Sequence, residues 1–534
     1  MQNSKEVQPN INQHRKIYLV GSGIASLASA AYFIKDGNIP AEHIHILEEL
    51  PIAGGSMDSA GTPENGYVMR GGRMLNFSYL CTYDLLSFIP SLDNPDMTVY
   101  EEIKAFNEKI KTNAQARVVE AGKITDVSSM GFINTDRLNL MEIMAVSEEH
   151  LETKRINEWF EPAFFKTNFW YMWDTMFAFQ PWHSAVEFKR YIHRFIHEFK
   201  RINTLAGVDR TPYNQFDAII RPLLKWLKQQ GVNFEMGIKV TDLGFTKLDG
   251  KMAVEQISCT QHGKAIDIKV STDDLVLVTI GSMTADSCFG TMHSAPELVT
   301  EKKDGAWLLW ENIAAHSPEF GRPFVFDERV NESKWESFTV TCQGKTFFDL
   351  MEKFSGNTAG TGGLVTFKDS NWLMSIVLAH QPHFIGQPKD VTVFWGYGLF
   401  VDEVGNFVKK KMADCSGEEI MTELLAHLRF DDDQKHILKT ANCIPCMLPY
   451  ITSQFLTRAN GDRPLVVPNN STNLAFIGQF AEVPDDVVFT VEYSVRTAQT
   501  AVYDLLKLDK KPLPMYRGDH HIDVLLDALK AMFR

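Results

Sequence analysis

Near the N-terminus the apolar run Lys16-Ile-Tyr-Leu-Val20 breaks at Gly21-Ser22-Gly23, and an alanine-rich stretch from Ile24 to Asp36 follows, stopping at Gly37. A short run rich in Ile, Leu and Val reads as a strand buried on both faces, and the stretch after the glycines reads as a helix. His43-Ile-His-Ile-Leu47 is a second strand, closed by Glu48-Glu49. Strand, turn, helix and strand in about 30 residues make a β-α-β unit. In Gly21-x-Gly23-x-x-Ser26, Gly21 permits the tight turn and Gly23 lets backbone N–H groups of the helix start, around Ala25, approach a pyrophosphate at the positive helix end. Ser26 is small enough for close helix–strand contact, and Glu48 stands where a carboxylate accepts ribose hydroxyls. The apolar stretch Ile17 to Ile34 has the length of a membrane span, but two glycines and three serines interrupt it, and the dinucleotide-binding reading accounts for them.

Composition narrows the partners. A net charge of −14 opposes nucleic acid as the main ligand. Seven cysteines at no framework spacing suit a reducing compartment, so a cytoplasmic protein is expected, with peripheral contact at the inner membrane face admitted. The polar N-terminus lacks signal-peptide character. The close pair Cys443-Ile-Pro-Cys446 has no second ligand pair near it in sequence, so a structural role is expected and no metal.

Two late segments favour FAD over NAD. Leu275-Val-Leu-Val-Thr279-Ile-Gly281-Ser282 is a strand ending in a small turn, and Phe476-Ile-Gly478-Gln479 is a strand end followed by a helix from Thr490. Gly54-Gly55-Ser56-Met-Asp58 and Arg70-Gly-Gly-Arg73-Met74 add glycines and arginines able to hold a diphosphate and to let a flavin lie on bare backbone. The expected class is therefore α/β, with a discontinuous Rossmann-like FAD-binding domain (15–106, 208–295 and 440–507). A largely helical, aromatic-rich substrate or lid region (107–207), a mixed α+β substrate-binding domain (296–439) and a C-terminal helical tail (508–534) complete the map. The aromatic stretch from Trp159 to Trp182 reads as core or as the wall of an apolar ligand channel. The tail helix, apolar at Ile522, Leu525, Leu526, Leu529, Met532 and Phe533, reads as packed on the body or as touching lipid.

Several longer motifs, Arg70-Gly-Gly-Arg-Met-Leu-Asn76, Phe88-Ile-Pro-Ser-Leu92, Phe179-Gln-Pro-Trp-His-Ser-Ala-Val-Glu187, Arg210-Thr-Pro-Tyr-Asn-Gln215, Gln381-Pro-His-Phe384 and Pro449-Tyr-Ile-Thr-Ser453, resemble the oleate hydratase family, also called the myosin-cross-reactive antigens. The resemblance runs from about Lys16 to Leu506. It implies FAD-dependent hydration of a cis double bond in a free unsaturated fatty acid, with no net redox change. It also implies that Tyr191 is the acid that protonates the alkene, that Gln215 and His383 hold the carboxylate, and that Glu48, Ser56, Val240, Ser282, Thr490 and Ser494 contact the flavin. A phenol between apolar walls keeps its proton at neutral pH, as that role demands.

The chain also departs from the family pattern. Met74 stands where a water-activating Glu is common, so Asn76, backbone carbonyls, the flavin or another carboxylate must polarise the water. Val377 and Ala379 stand where Thr and Asn are common, with His380 adjacent as a replacement. The same reaction class is expected, with altered regiochemistry or slower turnover. A flavin oxidoreductase or double-bond isomerase, and a non-catalytic carrier, are the alternatives. The stretch before the first strand is shorter than the one that pairs subunits in many relatives, so a monomer is expected as readily as a homodimer.

Overall fold

A computed structural model describes residues 14–534; the segment before them, from which a signal peptide was judged absent, lies outside the described residues. Five strands form a wholly parallel sheet in the order Leu474–Ile477, Leu275–Thr279, Ile17–Val20, Ile44–Glu48, Asn233–Met236. The first strand is central and buried along its whole length, as its unbroken apolar run requires. Its two neighbours flank it on opposite sides, one the next strand in the chain and one from more than halfway down. Its C-terminal end is therefore a topological switch point, where α/β sheets open a crevice for ligands.

The glycine turn sits at that point. Gly21 has φ +89 and donates its N–H to the Leu47 carbonyl at 2.8 Å, and Gly54 donates to the Ser22 carbonyl at 3.0 Å. Gly55 (φ +57) presses so close that an added Cβ would lie 2.9 Å from the Gly23 Cα. The helix Ile24–Lys35 leaves this turn, and the C-terminal helix Val491–Leu505, capped by the Thr490 side chain accepting from the Tyr493 N–H, packs beside it. Both helices cover the sheet with buried apolar side chains, which makes this discontinuous unit one core.

An eight-stranded sheet in the order Cys288–Phe289, Ala441–Leu448, Trp335–Gln343, Val391–Gly398, Met374–Val377, Val365–Phe367, Val118–Glu120, Lys123–Ile124 forms the second unit. It crosses the boundaries expected from sequence. Ala441–Leu448 was placed with the third part of the dinucleotide domain, yet it pairs antiparallel with Trp335–Gln343, and two short strands leave the region 107–207, expected to be helical, to extend the other edge. Strand pairing between distant segments leaves no local mark, whereas the buried pattern of each strand does.

Within Ala441–Leu448, Cys443 lies opposite Val340 and Cys446 opposite Ser337. Three residues apart on a strand, the two thiols point to opposite faces and share neither a bond nor a ligand. Among the described residues no group of three or more His, Cys, Asp and Glu side chains could hold a metal. Nor is any helix of the described residues long and apolar enough to cross a membrane.

The aromatic stretch divides between its two expected roles. Phe164, Phe169 and Trp173 pack in the core, Trp173 meeting Phe188 and Phe199 edge-on, while Phe177 reaches a cavity wall and meets Tyr191 edge-on at 4.9 Å. The tail helix Ile522–Met532 packs on the body through Ala528, Ala531 and Met532, while Ile522, Leu526 and Phe533 stay exposed.

Gly55→Ala should lower the free energy of unfolding by about 1–3 kcal/mol, since it adds both a left-handed φ penalty and a clash with the Gly23 backbone. Chemical denaturation of the two proteins checks this, and an unchanged midpoint would show that the turn relaxes freely.

Candidate active site

Three cavities meet in the seam between the two sheets. The largest is the crevice at the C-terminal edge of the parallel sheet, and Gly21, Gly23, Ala25, Glu48, Gly55, Ser56, Arg73, Val240, Ser282, Gly478, Thr490 and Ser494 all lie on its wall. Every cofactor-binding residue expected from sequence is thus brought there except Met74, which lines the next cavity. The Glu48 carboxylate already accepts the Ser22 N–H at 2.9 Å and hydroxyl at 2.6 Å, and its other oxygen accepts the Leu50 N–H at 2.8 Å. Burial raises its pKa, against the lowering by these donors. Of the two arginines in the glycine-rich segment, Arg70 is a tie within the wall: it pairs with Asp58 at 2.8 Å and donates to the Gly55 and Thr284 carbonyls. Arg73 is different. No hydrogen bond or ion pair engages its guanidinium among the described residues, and burial with repulsion from Arg70 pushes it down to about 10.

The second cavity is apolar and aromatic. Met74, Asn76, Tyr191, Phe177, Phe195 and Trp335 are on its wall, and it shares Thr490 and Phe489 with the dinucleotide crevice. Tyr191, on the helix Ala185–Phe195, is 1% exposed and donates from Oη to the Val488 carbonyl at 2.5 Å. Burial first, then the neighbouring phenol of Tyr79, holds its pKa well above the ordinary phenol value, so it is a neutral donor at any physiological pH. Asn76 reaches the same wall, but its amide is used inside it. Nδ2 donates to Glu198 at 2.9 Å and the Gly207 carbonyl at 3.1 Å, and Oδ1 accepts the Ser78 N–H at 3.1 Å. The water-polarising role expected for Asn76 finds no free atom to perform it.

The third cavity opens from the second past Gly71, Gly72, Val377 and Trp395, and it gathers Gln215, His380 and His383. Gln215 donates to the Arg73 carbonyl at 2.6 Å and keeps a buried Oε1 without a partner. His380 stacks edge-on with Phe106 at 5.3 Å, and burial lowers its pKa. Burial and the charge of Arg210 push the His383 imidazole down to about 4. Arg210 was not singled out from sequence, although it opens the motif that ends in Gln215. Its Nη2 is buried with no hydrogen-bond partner, and burial alone pulls the guanidinium down to about 10. No carboxylate lines this cavity among the described residues, and Asp217, whose charge reaches His383, is already paired with Arg221 at 2.9 Å. Two unpaired guanidinium groups and neutral imidazoles around an enclosed space form a site for a small anion. The space beyond it is suited to an apolar chain.

A family model described as the MCRA family matches residues 14–503. The chain belongs to that family. It is 38% identical over 532 residues to an oleate hydratase of Streptococcus pyogenes, covering 98% of this chain and 90% of that protein. It is 34% identical over 563 residues to a linoleate hydratase of Lactiplantibacillus plantarum, covering 97% and 98%. In fold this MCRA-family chain is similar to cyclohexylamine oxidase from Brevibacterium oxydans (TM-score 0.52, 10% identity, 92% of this chain and 99% of that one) and to a putrescine oxidase variant (TM-score 0.51, 12% identity, the same coverage). At such identity the likeness concerns architecture alone.

His383 should titrate near pH 4 rather than near 6.5. The sign follows: the folded pKa is depressed, so the contribution to stability is unaffected above the unfolded pKa. It falls as pH drops from about 6.5 toward 4, where only the unfolded chain takes up the proton. NMR of histidine-labelled protein, assigned with His383→Gln, measures it; a midpoint at 6 or above would place His383 in water.

Proposed function

We propose that this chain hydrates the cis double bond of a free unsaturated fatty acid, with FAD as resident cofactor. One observation carries the reading: an apolar cavity joins a dinucleotide crevice at one side and an unpaired cationic end at the other, with the Tyr191 phenol on its wall. The two full-length relatives named as hydratases support it.

The crevice fits FAD on its own chemistry. The Gly23–Gly55 contact leaves backbone without Cβ atoms where a diphosphate would sit, the helix Ile24–Lys35 points its N-terminus there, and Arg73 is a cation without an anion. Glu48 stands at the end of the second strand to take a ribose, and Val240, Ser282, Gly478, Thr490 and Ser494 flank the rest. When bound, FAD would supply a polar ring system beside the reaction cavity, held by these residues.

The residues of the chain divide the remaining work. Arg210, His383, His380 and Gln215 anchor the carboxylate, which fixes how far along the acyl chain the reaction cavity lies. Val377 and Ala379 add no donor there; Val377 is apolar wall and Ala379 has only backbone to offer. Aromatic walls exclude bulk water, and Tyr191 holds the proton that passes to one alkene carbon while water oxygen bonds to the other. No electron leaves the system.

The test is oleic acid in oxygen-18 water with mass spectrometry of the product. The expected result is label in a secondary hydroxyl with no electron acceptor consumed, and Tyr191→Phe should abolish turnover with FAD content retained. Product that demands a stoichiometric acceptor would end the hydratase reading, and full activity in Tyr191→Phe would remove that residue from the chemistry. Arg210→Leu should raise KM roughly tenfold to a hundredfold, the worth of a charge-assisted hydrogen bond of about 1.5–3 kcal/mol. Steady-state kinetics checks it, and an unchanged KM would place the carboxylate elsewhere.

A further inference from the structure

The reaction cavity poses a question that the hydratase reading leaves open, namely what receives the proton that the attacking water must lose. Among the described residues no Asp or Glu lines the cavity, and Met74 has no proton-accepting atom of use. The other polar side chains on the wall are nearly all engaged. Asn76 is tied to Glu198, Gly207 and Ser78. Thr175 donates to the Tyr171 carbonyl and accepts from Arg117 and Thr366, and Tyr397 donates to the Thr175 carbonyl. Thr490 caps its helix and donates to the Val487 carbonyl. The indole N–H groups of Trp335 and Trp395 are unpaired but can only donate.

Arg73 is unengaged too but has no acceptor, so among groups that can accept a proton Tyr79 is the exception. It lines the cavity and is 6% exposed, and its hydroxyl makes no hydrogen bond among the described residues, although its backbone N–H donates to the Asn76 carbonyl and its carbonyl accepts the Tyr83 N–H. Its ring packs edge-on against Phe195 at 6.5 Å, and Phe195 in turn meets Tyr191 at 5.5 Å. The two phenols therefore share one aromatic wall, and after burial Tyr79 is the strongest influence on Tyr191. A hydroxyl can accept from water and donate onward at once, which no other free side chain here can do.

Resting on the hydratase reading, we propose that Tyr79 is a second catalytic residue, which holds the attacking water and returns its proton to Tyr191. The Tyr191 O–H bond breaks as a C–H bond forms on one alkene carbon, and the water oxygen bonds to the other carbon. The proton released by that water goes to the Tyr79 oxygen, and the Tyr79 proton goes to the Tyr191 phenolate through the shared cavity. Both phenols end protonated, alkene plus water has become alcohol, and nothing is oxidised or reduced. The tie between Tyr191 and the Val488 carbonyl is then remade.

The experiment compares wild type, Tyr79→Phe and Tyr79→Phe/Met74→Glu as FAD-loaded enzymes on oleic acid in oxygen-18 water. Labelled alcohol from wild type is measured first and bears on the hydratase reading alone. The assignment of Tyr79 is decided by ratios among the variants. Tyr79→Phe should lose on the order of a hundredfold or more in kcat, the range for a positioned acid or base, with KM within about threefold and flavin content and melting temperature unchanged. Met74→Glu in that background should recover part of the loss, because a carboxylate on the same wall accepts the proton directly. A kcat for Tyr79→Phe within threefold of wild type would overturn the proposal. So would a loss that follows flavin release or unfolding, or one that Met74→Glu leaves untouched.

Discussion

The site depends on a seam in which a four-residue strand, Gly66–Met69, is held by the side chains of the large sheet. The Tyr67 N–H donates to the Thr341 hydroxyl at 2.8 Å and the Met69 N–H to the Thr339 hydroxyl at 3.1 Å, while the Thr339 hydroxyl also reaches the Met69 carbonyl at 3.2 Å. The segment Arg70–Arg73 continues directly from this strand into the gap between the sheets. Arg70 then fastens it to Asp58, Gly55 and Thr284 on the dinucleotide side. With both ends fixed, Gly72 lies against the Trp395 ring, and Arg73 is left at the junction that all three cavities share.

Burial then sorts the charges. At the polar end, guanidinium groups stay cationic even when desolvation lowers them, whereas imidazoles beside them lose their protons. The result is a pocket whose positive charge does not vary with pH across the physiological range. In the reaction cavity the same desolvation acts on phenols in the opposite sense and keeps them protonated. One physical effect thus leaves permanent cations on the wall of one cavity and neutral O–H donors on the wall of the next.

The parts of this arrangement that were legible in the sequence are those written locally. The strand–glycine–helix–strand unit needs only adjacent residues, and Gly21, Gly23 and Glu48 fall together because one β-α-β unit carries them. The cofactor and substrate residues inferred from motif resemblance also line the expected cavities. Long-range geometry was not legible. Nothing near Asn76 in sequence shows that Glu198 and Gly207 will take its amide, and nothing near Ala441–Leu448 shows its partnership with Trp335–Gln343. Arg210 and Tyr79 escaped for a related reason: what marks them is the hydrogen bonds they lack, and a missing partner is visible only once every neighbour is placed.

The discontinuous parallel sheet has a consequence for how the protein is made. Its central strand is made more than 450 residues before the strand Leu474–Ile477 and the helix Val491–Leu505 that close the crevice. Pairings across so much chain are slow to form, because a large loop must close before any contact repays its entropy. Until then the strand Leu275–Thr279 has an open edge and the apolar face of helix Ile24–Lys35 is uncovered, both of which invite association with other chains. The crevice is therefore complete only once segments far apart in the chain have docked, and any ligand that binds the closed sheet alone stabilises it by mass action.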